Sequence, residues 1–184
     1  MKPQKYKNKY RIESTRLKGY DYSQNGAYFV TICTKNREYL FGEIVNGKLT
    51  ETKQSQICTK CWFDLPNHYA NCLLDAFIIM PNHIHGIIVI NNSATAAVET
   101  GFKPVSTNTN TNINTHGLSE IIRGFKTFTA RKINEYQKTP GLPFWQSRFY
   151  DRIIRDEREL NNTRQYIIDN PGNWEKDENY TYKI

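Results

Sequence analysis

The sequence contains no long hydrophobic run. No apolar stretch approaches the ~20 residues that a membrane-spanning helix needs. The basic N-terminus, MKPQKYKNKYRIESTRLKG, lacks the apolar segment of a signal peptide. Both absences favour a cytoplasmic, nucleoid-associated protein without a membrane partner. Hydrophobic residues at 38% and aromatic residues at 13% exclude a wholly disordered chain of 184 residues and predict one domain with a real core.

Cysteine is scarce, and its spacing does not complete a zinc site. The sequence has four cysteines, of which only Cys58 and Cys61 form a CxxC pair. No second CxxC and no HxxxH follows to supply the other two ligands of a tetrahedral site. The pair also lies in KQSQICTKCWFDL, which is predicted as helix. We expect free structural thiols, and a zinc-stabilised structural protein that uses Cys58, Cys61 and the histidines remains an alternative.

Acidic residues are in the minority, with 18 Asp and Glu against 25 Lys and Arg. Residues 1–18 hold seven cations against Glu13, which is +6 of the net charge of +7. Residues 119–155 hold eight cations against three acids. Basic clusters interleaved with aromatic residues are typical of nucleic-acid binding, although a solubilising tail and a solvated helix face give the same pattern.

The hydrophobic pattern predicts an α+β domain with helices packed on an antiparallel sheet. Asn46-Gly47 is a strong two-residue hairpin signal, and Asp156 with Glu159 forms an acidic capping box at the start of the last helix. The predicted elements are strands over 27–35, 71–80, 83–90 and within 143–155, a hairpin over 41–52, and helices over 53–65 (stopped by Pro66), 118–136 and 156–170 (stopped by Pro171).

Residues 91–116 differ in composition from both flanks, because twelve of these 26 positions are Asn or Thr. A connection of this length without structure of its own is a functional loop or a disordered segment, and we favour disorder. The predicted organisation is a basic N-terminal arm over 1–18, a single domain over 19–174 with a disordered insertion at 91–116, and a C-terminal tail over 175–184.

Two of the four histidines lie one residue apart in HIHGIIVI, at the start of the strand over 83–90. Because side chains alternate along a strand, His83 and His85 share a face, which Ile87 and Val89 continue. Two imidazoles on one face can converge on a cation. An H-x-H pattern alone is weak, since two half-buried histidines without a metal would read the same way.

The last predicted helix offers further polar groups. Asn162, Tyr166 and Asn170 are spaced i, i+4 and i+8, so they form one stripe at the margin of the buried face. This places a phenol and an amide together just before Pro171. The only histidine after the H-x-H pair is His116, which lies in the Asn/Thr-rich stretch.

Four segments together resemble one family: MPNHIHGIIVI, IIRGFKTFTARKIN, FWQSRFYDRIIRDERELN and RQYIIDNPGNW. They are similar to the REP-associated tyrosine transposases, bacterial members of the single-tyrosine HUH transposases, from about Arg16 to Trp174. The bulky hydrophobe of the HUH motif is Ile84. The helix motif of the family, a tyrosine followed four residues later by Asn or Gln, matches Tyr166 and Asn170.

The resemblance implies a ferredoxin-like sheet, the HUH transposase fold, and a Mg²⁺ or Mn²⁺ ion held by His83, His85 and Asn170. It makes Tyr166 the nucleophile that cleaves and rejoins single-stranded DNA beside an imperfect palindromic, REP-like hairpin, through a 5′-phosphotyrosine and a free 3′-OH. Two neutral imidazoles and an amide bring no charge, so we expect the ion to bind weakly before a phosphate arrives. A hairpin-binding protein for DNA or RNA that no longer cuts is the alternative, and the residues leave monomer and homodimer open.

Cations and aromatic residues outside this set are candidates for DNA contacts. Trp145, Phe149 and Tyr150 are able to stack unpaired bases, although we expect Trp145 and Phe149 in the core. Tyr150 is a rival nucleophile without an amide at the right spacing. Besides the N-terminal arm, the candidate phosphate contacts are Arg123, Lys126, Arg131, Arg148 and Arg152.

Overall fold

The computed structural model describes residues 16–93 and 115–180, together with the backbone of two short paired strands, β1 (Lys5–Tyr6) and β2 (Lys9–Tyr10). Three parts of the chain lie outside the described residues: the rest of 1–15 in the predicted arm, residues 94–114 of the predicted insertion over 91–116, and residues 181–184 of the predicted tail. The predicted domain boundaries at 18 and 174 stay predictions.

The remaining elements of the described residues are strands, α-helices and two 3-10 helices. A 3-10 helix over Lys35–Arg37 follows the first long strand, and another over Asn170–Lys176 follows the last helix. In chain order the elements are β3 (Gly26–Cys33), β4 (Gly42–Val45), β5 (Lys48–Glu51), α1 (Lys53–Phe63), α2 (Leu65–His68), β6 (Cys72–Met80), β7 (His83–Ile90), α3 (Leu118–Gln137), β8 (Tyr150–Ile154) and α4 (Glu157–Asp169).

Four of these strands form one antiparallel sheet in the order β6-β7-β3-β8. The connection from β3 to β6 runs through α1, and that from β7 to β8 runs through α3. The parallel strands β3 and β6 therefore flank β7, and the parallel strands β7 and β8 flank β3. This interleaving is the ferredoxin-like order. The predicted α+β class with an antiparallel sheet is confirmed, and β4 and β5 form a separate hairpin.

Most predicted elements are present, and two boundaries were wrong. The hairpin turns at Asn46 and Gly47, whose positive φ angles of 52° and 71° fit the tight turn that joins β4 and β5. Pro66 does not end the helical region, because α1 ends at Phe63 and Pro66 lies in the first turn of α2, where its missing N–H costs nothing. The strand predicted within 143–155 covers only Tyr150–Ile154, and the residues before it pack into the core through Trp145.

The two faces of the sheet carry different side chains. On one face, Ile84 and Ile88 pack with residues of α1 and α3 in the main core. Gly86 shares that face, and an added Cβ there would lie 2.4 Å from Trp62, so the close approach of this ring requires glycine. On the other face, Ile87 packs with Phe29 and with Ile167 of α4. His83 and His85 belong to this second face, as predicted.

Among the described residues, no helix combines the length and apolar character required for a transmembrane segment.

Candidate active site

The two histidines of β7 are buried and face each other. His83 and His85 are 0% and 1% exposed, and their Nε2 atoms lie 2.9 Å apart. In the sheet they pair with Cys33 and Thr31 of β3, respectively, which fixes their position next to the central strand. The imidazole of His85 also stacks on Phe29, with ring centroids 5.3 Å apart. The period of two that predicts a shared face therefore brings both nitrogens to one point.

Hydrogen bonds at Nδ1 set the tautomer of His83 and orient both rings. The Asn82 amide nitrogen donates to the carbonyl oxygens of Arg37 (3.2 Å) and Asn179 (2.8 Å). Its Oδ1 is thus the acceptor that lies 2.8 Å from His83 Nδ1, so Nδ1 carries the hydrogen and Nε2 keeps its lone pair. Thr31 Oγ1 lies 2.9 Å from His85 Nδ1 and orients the second ring.

The histidine pair suits a shared cation. Burial lowers the pKa of His83 well below its usual range, and the nearby His85 lowers this pKa further. A neutral His83 directs its Nε2 lone pair at Nε2 of His85, 2.9 Å away, and this lone pair is satisfied either by an Nε2–H of His85 or by a cation that both rings bind. Nitrogen ligands bound to one divalent ion at ~2.1 Å lie about 3 Å apart when they are adjacent, which matches this separation.

Helix α4 carries the tyrosine of the predicted motif to this point. The helix begins after Asp156, whose Oδ1 accepts from the Glu159 amide at 2.7 Å, as the predicted capping box requires. Arg164 binds both carboxylate oxygens of Asp75 on β6, at 2.8 and 2.6 Å, and so fixes α4 to the sheet. The hydroxyl oxygen of Tyr166 then lies 3.4 Å from His85 Nε2.

The phenol of Tyr166 lies between the buried pocket and solvent. The residue is 44% exposed, and its ring contacts Phe29 edge-on at 5.9 Å. Partial burial raises the pKa of Tyr166 to about 12, and the charges of Asp177 and Glu178 add to this effect. The phenol is therefore protonated at neutral pH, and a reaction at its oxygen needs a route for the proton or a compensating positive charge.

Asn170 follows α4 directly and lies beside Asp177, an acidic residue close to the two histidines. It is 4% exposed, and its Nδ2 donates to Oδ2 of Asp177 at 3.1 Å. Its Oδ1 has no hydrogen-bond partner among the described residues. A buried amide oxygen without a partner is a group that an oxygen-seeking cation can satisfy. The residues present therefore fit a divalent ion, which His83, His85 and Asn170 would hold.

Asp177 was not predicted as a site residue. Its Oδ2 lies 3.8 Å from His85 Nε2 and 4.0 Å from His83 Nε2, and the side chain is 2% exposed. In the described part of the chain, these three residues form the one group of His, Cys, Asp and Glu side chains whose ligand atoms all lie within 4.8 Å of one another. Burial alone would raise the pKa of Asp177, but the neighbouring imidazoles and the hydrogen bonds from the Asn179 N–H and the Asn170 amide outweigh it and keep this pKa well below its usual range.

The predicted phosphate contacts divide into three groups. Lys126 is half-buried, and its Nζ donates to the carbonyl oxygens of Gln146 (2.6 Å) and Ser147 (3.1 Å), so it connects α3 to the loop before β8. Arg123 and Arg131 are 76% and 60% exposed on α3, which covers the sheet face opposite the histidines. They are out of reach of a phosphate at His83, so any DNA contact they make is remote from that point.

Arg152 and Arg148 belong to the β8 side of the domain. The Arg152 guanidinium donates to Thr163 Oγ1 at 3.0 Å and lies 3.4 Å from Glu159, which connects β8 to α4. It also lies 6.0 Å from the centre of the Phe29 ring, on the histidine face. Arg148 is exposed in the loop before β8.

The three aromatic candidates for base stacking lie in different environments. Trp145 is 6% exposed and Phe149 packs against the main core, as predicted. Tyr150 is 48% exposed, pairs with Thr31, and contacts the Phe29 ring at 6.4 Å. Of the three, Tyr150 has an exposed ring on the histidine face.

Three of the four cysteines lie away from the histidine site. All four are free, and Cys58, Cys61 and Cys72 are buried in the main core on the opposite face of the sheet. Burial raises the pKa of Cys72 to about 12, and burial also raises the pKa of Cys58. The alternative of a zinc site shared between Cys58, Cys61 and the histidines therefore does not fit the fold.

Comparison with known proteins agrees with the fold and with the sequence motifs. No protein-family model matches the chain. An uncharacterized protein of Haemophilus influenzae is 36% identical over 170 residues, which are 91% of this chain and 92% of that protein. A second protein of the same strain, which bears the name of a REP-associated tyrosine transposase, is 25% identical over 154 residues, 82% of this chain and 73% of that protein.

A solved structure shares the fold. The structure of a REP-associated tyrosine transposase bound to a REP hairpin superposes with a TM-score of 0.56 at 18% identity, over 89% of this chain and 74% of that chain. The sheet order, the His83-Ile84-His85 motif on β7 and the tyrosine helix α4 are in the arrangement that the resemblance implies. The chain is therefore similar to REP-associated tyrosine transposases in its sequence motifs and in its fold.

Proposed function

We propose that this protein is a metal-dependent single-stranded DNA transposase or endonuclease, which cleaves and rejoins DNA near palindromic hairpins. Tyr166 is the nucleophile, and His83, His85 and Asn170 hold the cation, Mg²⁺ or Mn²⁺. The observation that carries the proposal is the 3.4 Å distance between the Tyr166 hydroxyl oxygen and Nε2 of His85. A half-exposed phenol beside two convergent buried imidazoles has no evident purpose in stability.

In the proposed reaction the phenol oxygen of Tyr166 attacks the scissile phosphorus. A bond from the tyrosine oxygen to phosphorus forms, and the bond from phosphorus to the 3′ oxygen breaks. The phenol loses its proton, and the leaving 3′ oxygen gains one to become the 3′-OH. A bound divalent ion would stabilise the charge that develops on a non-bridging oxygen. The aryl phosphodiester retains the energy of the broken bond, because phenol is a better leaving group than an alkyl alcohol, so a 3′-OH can reverse the step.

The surroundings of Tyr166 support access for a single strand. Its ring lies on the same face as Tyr150, and both contact Phe29. Tyr150 is available to stack an unpaired base next to the cut, and Arg152 beside it to contact a phosphate. We assign Arg123 and Arg131, which are exposed on the opposite side of the sheet, to contacts with the hairpin duplex rather than with the scissile strand.

The geometry within one protomer supports cleavage in cis. Tyr166 reaches His85 of its own chain, and the site needs no residue from a second copy to bring the nucleophile to the histidines. We therefore propose a monomer as the active unit.

The test is covalent capture of DNA. The purified protein is incubated with Mn²⁺ and a 5′-labelled and a 3′-labelled single strand that carries a REP-like hairpin, and products are separated under denaturing conditions. We expect a denaturation-resistant adduct with the 3′-labelled fragment only, since the tyrosine takes the 5′-phosphate. Tyr166→Phe should remove the adduct, because it deletes the oxygen and keeps the ring packing.

Tyr150→Phe is the matched control, because it removes a second phenol from the same face without removing the proposed nucleophile. Retention of the adduct in Tyr150→Phe and its loss in Tyr166→Phe support the assignment. An adduct that persists in Tyr166→Phe refutes it. Binding of hairpin DNA by the wild type without any cut, across Mg²⁺ and Mn²⁺, would favour a protein that binds but does not cleave.

A further inference from the structure

We infer that Asp177 is an anionic ligand of the cation, supplied by the segment that follows the tyrosine helix, and that it allows the site to hold the ion before DNA binds. The inference rests on the metal site of the proposed function and adds a charged ligand to it. The ligand set becomes two imidazoles, one carboxylate and the Asn170 amide.

Convergence of the side chains is the first support. Asp177 Oδ2 lies within 4.0 Å of both Nε2 atoms, too far for strong hydrogen bonds yet close enough to share an ion with them after small rotations. The carboxylate is 2% exposed, and among the described residues no lysine or arginine forms an ion pair with it. A buried carboxylate without a cationic side chain is costly unless hydrogen bonds or a metal ion compensate its charge.

The backbone around Asp177 is held in place by residues of the histidine loop. The Asn82 amide donates to the carbonyl oxygen of Asn179 at 2.8 Å, and the Asn179 amide N–H donates to Asp177 Oδ1 at 2.6 Å. Cys33 Sγ donates to Asn179 Oδ1 at 3.6 Å. Asn82 therefore orients His83 through its Oδ1 and positions the 177–179 segment through its Nδ2.

The second carboxylate oxygen is also oriented. Oδ1 of Asp177 is occupied by the Asn179 N–H, whereas Oδ2 faces the histidines and receives only the Asn170 Nδ2 at 3.1 Å. That amide has its own Oδ1 unpartnered among the described residues. Oδ2 of Asp177 thus faces the point where the two imidazoles converge, with the Asn170 amide next to it, and this arrangement suits a cation.

The charge of Asp177 decides when the ion binds. Two imidazoles and an amide are neutral, so without a carboxylate the phosphate of DNA would have to provide the first negative charge. With Asp177 in place the site carries one negative charge at neutral pH, and Mn²⁺ gains a direct electrostatic attraction in a buried pocket. The ion in turn should order the 170–180 segment, since Asn170 and Asp177 both belong to it.

The experiment measures Mn²⁺ binding in the absence of DNA. Free Mn²⁺ is followed by electron paramagnetic resonance during titration of the wild type, Asp177→Asn and Glu178→Gln. Asp177→Asn keeps the shape of the side chain, and Glu178→Gln removes the same charge one residue away from an exposed position. We expect Asp177→Asn to weaken binding at least tenfold and Glu178→Gln less than threefold.

A second readout follows the segment itself. Hydrogen exchange of residues 170–180 should slow on addition of Mn²⁺ in the wild type and in Glu178→Gln, and should not respond in Asp177→Asn. Thermal unfolding in EDTA shows whether Asp177→Asn is folded. If that variant does not fold, the exchange response of residues 177–180 in the wild type decides, since an ion held only by His83, His85 and Asn170 would leave these residues unchanged.

The outcomes separate this inference from the proposed function. Equal Mn²⁺ affinity in wild type and Asp177→Asn overturns the role of Asp177, as does a wild type that binds no Mn²⁺ until DNA is added. Either result leaves the proposed function standing if the Tyr166 adduct still forms with Mn²⁺ and hairpin DNA. Tight, Asp177-dependent Mn²⁺ binding without any adduct supports the ligand and contradicts the proposed cleavage.

Discussion

The hydroxyl oxygen of Tyr166 lies 3.4 Å from Nε2 of His85, although 81 positions separate the two residues in the sequence. The same nitrogen faces Nε2 of His83 at 2.9 Å. One lone pair cannot accept the phenol proton and bind a cation at the same time. If Nε2 of His85 binds the proposed ion, this nitrogen cannot also accept the phenol proton of Tyr166, and the charge of the ion would have to compensate for the raised pKa of the phenol.

The pH dependence of stability should report on His83. Burial keeps the pKa of His83 below its ordinary value of ~6.5, so in the folded state the ring stays neutral while the unfolded chain takes up a proton as the pH falls through ~6.5. Below that pH the unfolded state binds more protons than the folded state. As the pH falls, this group therefore lowers the free energy of unfolding by up to about 1.4 kcal/mol per pH unit. We expect urea unfolding in EDTA between pH 7.5 and 5.5 to show a shallower slope in His83→Gln than in the wild type.

His68→Gln is the control for this slope. His68 is half-exposed and pairs with Asp64, so its removal should not reduce the loss of stability at low pH. Equal slopes in the wild type and in His83→Gln would contradict a neutral, buried His83.

The ion pair between Arg164 and Asp75 should position the nucleophile. Two hydrogen bonds, of 2.8 and 2.6 Å, hold α4 to β6 two residues before Tyr166. Asp75→Ala should cost about 1 kcal/mol in the free energy of unfolding, since the pair is only partly buried. Adduct formation should slow by more than tenfold, because small displacements of a nucleophile are costly in rate. An Asp75→Ala variant with wild-type adduct kinetics would show that α4 is held by its apolar contacts alone.

Gly86 should not tolerate a methyl group. An added Cβ would lie 2.4 Å from Trp62, and this ring cannot retreat because it stacks on Phe77 at 4.7 Å and contacts Phe125 edge-on. Overpacking of this kind costs roughly 1–3 kcal/mol or more. We expect Gly86→Ala to lower the thermal midpoint strongly. Gly172→Ala is the control, since an added Cβ there meets nothing within 4 Å, and an equal loss in both variants would contradict the packing argument.

Lys126 and Arg123 should separate stability from DNA binding. Lys126→Met removes two hydrogen bonds from Nζ to carbonyl oxygens, so it should lower the free energy of unfolding by about 1–2 kcal/mol. Arg123→Gln removes an exposed cation, so it should leave stability within about 0.5 kcal/mol and weaken hairpin binding, with the salt dependence reduced by about one unit. The measurements are urea unfolding and hairpin affinity at several salt concentrations. The reverse pattern would show that Lys126 leaves its carbonyl partners to bind DNA.

The sequence alone predicts the parts of the site that belong to regular elements. A period of two places His83 and His85 on one face of β7, and the capping box fixes where α4 begins, so the i, i+4 spacing of Tyr166 and Asn170 can be converted into a stripe. The ferredoxin-like sheet is implied by the resemblance to the family and not by the periodicity of the strands.

The parts that the sequence does not predict depend on loops and on neighbours. Asp177 enters the site because the chain forms a 3-10 helix over Asn170–Lys176 and because Asn82 then binds the backbone of Asn179. No local sequence pattern encodes that path. Lys126 resembles its exposed neighbours on α3, and only the position of the loop before β8 reveals its carbonyl partners. Pro66 reads as a stop signal, yet it is also a good first residue for another helix.

The alternation along β7 has a consequence for how this chain can change over evolutionary time. A one-residue shift in the register of β7 would turn the whole strand over, so that the imidazoles would face Trp62 and the isoleucines would face α4. Hydrophobic residues within β7 can therefore replace one another during evolution, whereas the register of the strand has to stay the same. The Asn/Thr-rich stretch begins at the residue after Ile90, where added length does not alter the register of β7.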